Sequence, residues 1–329
     1  MGVTHSYTAG LDPEIAAQLA ALPPGTFDFD EWTLETIAAR RAARAALPVP
    51  AAPPTTTVFR DEQVDAAVRV RVYSPPDAGP TRPCVYWIHG GGYISGSALT
   101  VDARLNRWVE ALDCVVVSVE YRLAPEHTYP TPLEDCYTGL SWAVANADTL
   151  GIDPGRIVIA GSSAGAGLAA AVALLTRDRG GPSLAHQVLV YPMLDDRQTT
   201  LSSQMDGAPV WGRSANALGW RAYLGSDAGR ADLPAYAAPA RAVDLAGLPP
   251  AFVAVGGADL FRDESIAYAT RLLAAGVPTE LHVYPGAPHG FEVIAPSAGV
   301  SRSCDAEMLA ALQRALHPIA PAIDVPAGP

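Results

Sequence analysis

From residue 84 onward, continuous apolar runs alternate with longer helical patterns, and this alternation restricts the possible folds more than any other feature of the chain. Such runs are typical of strands that helices cover on both faces, as in parallel sheets. Six strands are predicted on the segments CVYWIHG, CVVVSVEY, RIVIAG, QVLVYP, AFVAVGG and ELHVYP. With the earlier segments TTTVFR and AAVRVRVY, they predict a doubly wound α/β fold with an eight-stranded, mostly parallel sheet.

Helical additions are expected before the core and within it. Residues 1–54 are rich in Ala and Pro and hold two helical patterns, which predicts an arm lying against the rest of the chain. The gap after the sixth strand is too long for a crossover helix alone, so residues 195–231 are a predicted insertion. We expect the arm and the insertion to form a helical cap over a core of residues 55–194 and 232–318. The tail, residues 319–329, is expected to be frayed.

The charge composition argues against a nucleic-acid partner. The chain has 34 Asp and Glu against 22 Lys and Arg, a formal net charge of −12, and no basic patch. Its first residues lack a charged segment followed by an apolar core, and no continuous apolar stretch reaches the roughly 18 residues of a membrane span. We therefore expect a cytoplasmic protein without a stable membrane anchor.

The four cysteines, Cys84, Cys114, Cys136 and Cys304, are widely spaced and form no CxxC pair. This spacing predicts neither a zinc site nor a disulfide framework. Two of the cysteines lie on predicted strands, so we expect buried, reduced thiols and no bound metal.

The segment VIAGSSAGAGLAAAVALL, residues 158–175, changes from a strand pattern to a helical pattern at a cluster of small residues. This cluster, Gly161 to Gly165, fits G-x-S-x-G, in which the serine occupies a strained turn and the glycines give the clearance that the turn needs. The turn would place the hydroxyl of Ser163 above the sheet and the N–H of Ala164 beside a developing oxyanion. The alternative is a phosphate or cofactor loop, but neither G-x-G-x-x-G nor a P-loop lysine accompanies the cluster.

A serine nucleophile requires a histidine base. His289 follows the last predicted strand in a loop rich in Gly and Pro, from which its ring can reach across the edge of the sheet. His282 lies inside that strand, where a structural role is expected. The other histidines occupy positions without such access. We therefore predict His289 as the base.

The acid that orients this base should also follow a strand, between the serine and the histidine in chain order. Asp259 comes directly after the segment AFVAVGG, whereas Asp263 and Glu264 begin the next helical pattern, where carboxylates commonly cap a helix. Asp259 is therefore the predicted acid. The order Ser163, Asp259, His289 is that of the α/β-hydrolases.

A second glycine cluster stands in YWIHGGGYISG, residues 86–96. Three successive glycines after a strand allow backbone N–H groups to converge on a negative charge. A glycine triplet alone is more often a flexible turn, but beside a G-x-S-x-G serine it predicts an oxyanion hole. His89 is expected to anchor this loop and not to act as a base.

With these motifs in view, the chain resembles the bacterial hormone-sensitive-lipase-like esterases, a branch of the α/β-hydrolase fold. The resemblance covers residues 68–292. The chain departs from the family at Ser162, directly before Ser163, where many members have the Asp or Thr that marks two subgroups. The resemblance rests on the segments HGGG, YRLAPEH, GSSAG, YPMLDD, GADLFRDE and HGF.

The resemblance implies that Ser163 is the nucleophile, His289 the base and Asp259 the orienting acid. It also implies an oxyanion hole formed by the N–H groups of Gly91, Gly92 and Ala164. The cap of the family is built from the arm and the insertion, and many members are homodimers. By proximity to the motifs, candidate pocket residues are Tyr93, Tyr191, Trp211, Leu260 and Phe261.

The reaction expected from these residues is hydrolysis of short- to medium-chain carboxylic esters through an acyl-enzyme, without a metal or other cofactor. The expected partner is a small-molecule ester. Hydrolysis of amides, as in aryl-amide deacetylation, uses the same triad and remains an alternative. A non-catalytic receptor on the same fold is a more distant alternative, because such receptors have lost the triad histidine. A dehalogenase would need Asp at position 163.

Overall fold

In the computed structural model of the chain, the described residues are 10–23, 25–46, 53–77, 79–98 and 103–318. Eight strands form one sheet in this part of the chain. The strands are β1 (Val58–Gln63), β2 (Arg69–Ser74), β3 (Arg82–Ile88), β4 (Val115–Glu120), β5 (Ile152–Ser162), β6 (His186–Val190), β7 (Ala251–Gly256) and β8 (Thr279–Tyr284).

The strand order in the sheet is β1-β2-β4-β3-β5-β6-β7-β8. β2 pairs antiparallel with β1 and β4, and all other neighbours are parallel. Each of the eight predicted strands is present, so the expectation of an eight-stranded, mostly parallel sheet is confirmed. β3 is buried along its whole length, whereas most residues of the edge strand β1 are exposed.

Helices cover both faces of the sheet. The helices are α1 (Pro13–Ala21), α2 (Ile37–Ala45), α3 (Ala103–Leu112), α4 (Thr131–Ala145), α5 (Ala147–Leu150), α6 (Ala164–Arg179), α7 (Arg213–Leu224), α8 (Arg262–Ala274), α9 (Phe291–Ile294) and α10 (Gly299–Leu316). Apolar residues of α4, α6 and α8 pack on one face of the sheet, and those of α1, α3, α9 and α10 pack on the other. Alternate residues of β3 contribute to the two cores, Tyr86 to the first and Trp87 to the second, as the two-residue period of a strand requires.

The second of the two helical patterns of the arm, DEWTLETIAARRAARAAL at residues 30–47, is interrupted in the structure. A 3₁₀ turn, Phe29–Glu31, is separated from α2 by a non-helical stretch. There the indole N–H of Trp32 donates to Asp28, and both Phe29 and Trp32 are buried in the core. Tertiary burial of the two aromatic rings therefore overrides the local helical preference.

The arm contacts both the core and the insertion. In α1, Ile15 is fully buried against the face that carries α10. Further along, Asp30 accepts a hydrogen bond of 2.7 Å from the N–H of Ala215 in the first turn of α7. An acceptor at this position satisfies an N–H group that the helix itself leaves free. The predicted tail, residues 319–329, and the first nine residues of the arm lie outside the described residues.

Candidate active site

Ser163 connects β5 to α6 with a φ of 57° and a ψ of −125°. Positive φ is rare for a residue other than glycine, and the surroundings must enforce it. Here the N–H of Ser163 donates to the carbonyl of Val190 at 2.9 Å, while its own carbonyl accepts from Gly167 at 3.0 Å and from Met193 at 3.1 Å. These bonds to β6, to the segment after it and to the first turn of α6 hold the serine above the strand ends.

The glycines on either side of this turn are required by close backbone contacts. A Cβ on Gly165 would lie 2.2 Å from the carbonyl oxygen of Ile88, and a Cβ on Gly161 would lie 2.5 Å from the carbonyl carbon of Gly165. Both distances are far below van der Waals contact. The turn and its approach to β3 therefore exclude a side chain at either position, which is the physical basis of the G-x-S-x-G spacing.

The structure brings together the three residues that the sequence singles out as a triad. Nε2 of His289 lies 3.0 Å from Oγ of Ser163, and Nδ1 of His289 lies 2.8 Å from Oδ2 of Asp259. All three side chains are buried, with residue exposures of 7, 6 and 1 % for His289, Ser163 and Asp259. The other carboxylate oxygen of Asp259 accepts from the N–H of Phe261 at 2.9 Å. Such a line of hydrogen bonds can withdraw a proton from the serine hydroxyl.

The neighbouring acids of the GADLFRDE segment make different contacts. Asp263 accepts from the N–H of Ser202 in the insertion at 2.7 Å. Glu264 is buried and accepts from the N–H of Leu194 at 2.7 Å, and its burial raises the pKa of its carboxyl group well above the usual value. These two residues join the insertion and the segment after β6 to α8, whereas Asp259 contacts the histidine.

The loop of three glycines lies directly beside the serine turn. A Cβ on Gly90 would be 2.8 Å from the carbonyl of Ser162 and 3.2 Å from Cβ of Ser163. The carbonyl of Gly91 accepts from the N–H groups of Ile94 at 3.0 Å and Ser95 at 2.9 Å. A trans peptide directs its carbonyl and its N–H in opposite directions, so these bonds also fix the direction of the Gly92 N–H. As the first residue of α6, Ala164 has an N–H without an acceptor inside the helix.

His89 orients the preceding peptide of this loop. Its Nδ1 lies 2.8 Å from the carbonyl oxygen of Gly90, and its ring stacks on Tyr121 with centroids 4.3 Å apart. Burial lowers the pKa of His89, so the ring is neutral and Nδ1 carries the donated proton. The contact fixes the Gly90 carbonyl and thereby the direction of the Gly91 N–H.

A cavity of about 200 Å³ opens above the serine and the glycine loop. The described residues that line it include no Asp, Glu, Lys or Arg. Its apolar walls come from the arm, the insertion and α9, which follows His289. The lining residues are Phe27, Phe29, Gly90, Gly91, Gly92, Ser162, Ser163, Tyr191, Val210, Trp211, His289, Gly290, Val293 and Ile294.

Of the five candidate pocket residues, Tyr191 and Trp211 line this cavity. Tyr93 is instead buried in the core, where its ring stacks on Tyr223 at 4.1 Å. Leu260 and Phe261 are fully buried as well. Because these three side chains point into the core, nearness to a motif in sequence does not place them at the cavity wall.

Phe261 does contact the triad, although it does not line the cavity. Its ring lies 5.1 Å from that of His289, nearly perpendicular to it. The cavity residues that the sequence did not indicate are Phe27, Phe29, Val210, Val293 and Ile294. The two phenylalanines lie far from every motif along the chain, and only tertiary packing brings them to the serine.

A buried polar network joins Tyr191 to the segment that follows His289. The hydroxyl of Tyr191 donates to Glu292 at 2.6 Å, and Arg104 of α3 forms an ion pair with the same carboxylate oxygen at 2.9 Å. Burial and the nearby carboxylate raise the pKa of Tyr191 well above its usual value, so the hydroxyl remains a donor. The Tyr191 ring lies 4.6 Å from the His289 ring. The network thus connects a cavity wall and the histidine loop to a core helix.

Replacing Arg104 with alanine is expected to lower the free energy of unfolding by about 3 to 5 kcal/mol, because it leaves the Glu292 carboxylate buried without its cation. Glu292 has a fully buried side chain and Arg104 a side-chain exposure of 9 %. Urea denaturation measures the change. The matched control is Arg107→Ala on the same helix, since Arg107 is 60 % exposed in its pair with Asp305. Equal effects of the two substitutions would contradict the role given to burial.

The described residues contain no group of three or more His, Cys, Asp or Glu side chains placed to hold a metal ion. In the same part of the chain, no helix combines the length and the apolar character needed to span a membrane.

The sheet order, the strained serine turn and the glycine loop beside it define the class of α/β-hydrolases. A family model described as alpha/beta hydrolase fold matches residues 85–293. The chain belongs to this family, in its hormone-sensitive-lipase-like branch. The matched residues extend from β3 to α9 and include every residue of the triad.

Known relatives support this membership over most of the chain. Esterase LipI of Mycobacterium tuberculosis is 39% identical over 257 residues, which are 76% of this chain and 79% of LipI. Carboxylesterase NlhH of the same species is 40% identical over 254 residues, with the same two coverages. The solved structure titled Bacterial Heroin Esterase is 40% identical, covers 94% of this chain and 99% of its own, and superimposes with a TM-score of 0.83.

Proposed function

We propose that this esterase hydrolyses short- to medium-chain carboxylic esters through an acyl-enzyme on Ser163. One observation carries the proposal: the hydrogen-bonded line from Ser163 through His289 to Asp259 meets an apolar cavity bordered by the glycine loop. A serine activated in this way, with backbone donors beside it, is what acyl transfer requires.

In the proposed reaction, His289 takes the proton from Ser163 as the serine oxygen attacks the ester carbonyl. The N–H groups of Gly91, Gly92 and Ala164 bind the oxyanion of the tetrahedral intermediate. His289 then protonates the departing alcohol, and the same sequence with water releases the acid. Asp259 holds the imidazole with Nδ1 protonated, so that Nε2 is free to accept the proton. None of these steps involves a metal or other cofactor.

We propose further that residues 1–54 and 195–231 form the cap. The support is direct contact between the two segments, because Phe29 and Trp211 pack at a centroid distance of 5.3 Å and both line the cavity. In this division of the chain, residues 55–194 and 232–318 form the catalytic core. The absence of charged groups among the described lining residues favours neutral substrates, since an unpaired carboxylate or ammonium group would be desolvated there.

Activity on p-nitrophenyl esters from acetate to palmitate tests the proposed substrates. We expect the highest kcat/KM at acetate to hexanoate and a steep decline for longer chains, because the cavity is small. A parallel series of p-nitroanilides tests the amide alternative. Faster hydrolysis of an anilide than of the ester with the same acyl group would replace the proposal, and binding without turnover of either series would favour a receptor.

Trp211→Ala is expected to raise the ratio of kcat/KM for octanoate to that for acetate by about tenfold or more, because each methylene that a pocket accepts changes specificity by about 10-fold or more. The Trp211 ring is buried against Gly92, where a Cβ would lie 2.1 Å from its Cη2. Its removal therefore enlarges the cavity beside the oxyanion donors. Steady-state rates on the ester series measure the ratio.

Trp220→Ala is the control for this substitution. Trp220 is buried in the same helical insertion but does not line the cavity. The Trp220→Ala variant should be less stable than the parent protein but should keep the parent's preference for acyl-chain length. A similar shift in both variants would show that a loosened cap, and not the Trp211 wall, sets chain length.

We also propose a cytoplasmic location and a homodimer. The support for the location is chemical: Cys84, Cys114, Cys136 and Cys304 are free, buried thiols, as is usual in reducing compartments.

The proposal of a homodimer rests on the family resemblance. Cell fractionation and light scattering of the purified protein test the two statements separately.

A further inference from the structure

The segment YRLAPEH, residues 121–127, has no part in the proposed chemistry but lies against the glycine loop. The hydroxyl of Tyr121 donates to the carbonyl of His89 at 2.9 Å. The N–H of Ala124 donates to the carbonyl of Tyr93 at 2.9 Å. The segment therefore contacts the glycine loop on both sides of its three glycines.

Arg41, on α2 of the arm, binds both of these loops at once. Its Nε donates to the carbonyl of Ile94 at 2.8 Å, and one terminal nitrogen donates to the carbonyl of Ala124 at 2.7 Å. The same guanidinium forms an ion pair with Glu126 at 3.1 Å. The planar, rigid donor group of arginine suits this arrangement, because its donors leave in fixed directions.

The contact with Ile94 lies one hydrogen bond away from the oxyanion donors. The N–H of Ile94 donates to the carbonyl of Gly91, whose peptide carries the N–H of Gly92. Arg41 holds the carbonyl of the same Ile94. Both backbone groups of Ile94 are therefore held in place. Its carbonyl accepts from Arg41 of the arm, and its N–H donates to the peptide whose other end is the Gly92 N–H used in the proposed reaction.

The carbonyl contacts are stronger than the ion pair. The side chains of Arg41 and Glu126 are 26 and 46 % exposed, and solvent-exposed pairs contribute little. Hydrogen bonds from a charged donor to a backbone carbonyl are roughly twice as strong as those between neutral groups. The main action of Arg41 is therefore on the two loops, with Glu126 orienting the guanidinium.

We propose that Arg41 is a positioning residue for the oxyanion hole, so that docking of the N-terminal arm completes the active site. The proposal rests on the ester hydrolysis proposed above. It gives the arm a role beyond covering the cavity, because a side chain of the arm holds the loop that stabilises the transition state.

The test compares Arg41→Gln and Arg41→Lys with Arg40→Gln. Arg40 is the preceding residue of α2, and its ion pairs with Asp28 and Glu31 stay within the arm. Rates are normalised to active sites titrated with a p-nitrophenyl phosphonate, so that unfolded protein is not counted. A trifluoromethyl ketone, which forms a tetrahedral adduct with the serine, reports on the oxyanion hole.

We expect Arg41→Gln to lower kcat per active site by about tenfold or more, since small misplacements in an active site have effects of that order. KM should change by less than about twofold, as for a group that acts only in the transition state. The inhibition constant of the ketone should rise by the same factor as kcat falls. Arg41→Lys should lie between Arg41→Gln and the parent, because lysine keeps the charge but cannot reach both carbonyls in the same geometry.

Two results would overturn the proposal. One is a kcat of Arg41→Gln within about twofold of that of Arg40→Gln, which would show that the contacts are only structural. The other is a fall in kcat without weaker binding of the ketone. Failure of the proposed function would be distinct, because the parent protein itself would then not hydrolyse esters.

Discussion

Replacing Ser163 with alanine is expected to lower kcat for p-nitrophenyl butyrate by about 10⁶-fold, the effect typical of removing a serine nucleophile. Ser163 is the hydroxyl within hydrogen-bond reach of His289 Nε2, at 3.0 Å. Without its oxygen, no acyl-enzyme can form, and the oxyanion donors can assist only attack by water. The rate is measured by release of p-nitrophenolate at saturating substrate.

Ser162→Ala is the matched control, because the two serines are adjacent and both line the cavity. Of these two described serines, Ser163 alone has its hydroxyl hydrogen-bonded to His289. We therefore expect the loss of kcat in Ser162→Ala to stay below about tenfold, as for a residue that does not react. If Ser163→Ala retained the activity of the parent, the assignment of the nucleophile would be wrong.

Asp259→Asn is expected to lower kcat by about 10⁴-fold, although the side chain keeps its shape. The carboxylate of Asp259 accepts two hydrogen bonds, one from His289 and one from the N–H of Phe261. An asparagine has one oxygen and one amide nitrogen, so only one of these contacts can be kept as an accepted bond.

The backbone N–H of Phe261 can only donate, so it selects the amide oxygen of the asparagine. The amide nitrogen must then face Nδ1 of His289 and donate to it. This places the imidazole proton on Nε2, the nitrogen that has to accept the proton of Ser163. The substitution therefore leaves the base in the wrong tautomer, and the loss should appear in kcat with little change in KM.

Asp263→Asn provides the comparison for the acid. Asp263 lies four residues further on and binds Ser202 in the insertion, not the histidine. We expect its effect on kcat to remain below about tenfold. A larger loss in Asp263→Asn than in Asp259→Asn would move the role of orienting acid to the helix start.

Six of the eight strands could be predicted because each is a compact apolar run, but the order of the strands in the sheet could not. β4 lies between β2 and β3, which are consecutive in the chain. The strand order depends on which strands and helices pack together, and a single apolar segment of the sequence carries no information about its neighbours in the sheet. The helical pattern of residues 30–47 was likewise overridden where Phe29 and Trp32 become buried in the core.

The triad could be predicted because each of its residues follows a strand end, and the ends of parallel strands meet at one edge of a sheet. The cavity wall could not. Phe27 and Phe29 reach the cavity from an arm that precedes the first strand, and no local pattern marks them. Arg41 is similar, since its partners Ile94 and Ala124 are 53 and 83 residues away along the chain.

The most direct test of Ser163 as the nucleophile is to trap the acyl-enzyme. The protein is mixed with p-nitrophenyl butyrate, quenched in acid within milliseconds to seconds, digested and examined by mass spectrometry. We expect a butyryl group on the peptide that contains Ser163, located at that residue by fragmentation and absent in Ser163→Ala. A butyryl group on another residue that is turned over at the rate of ester hydrolysis would contradict this assignment.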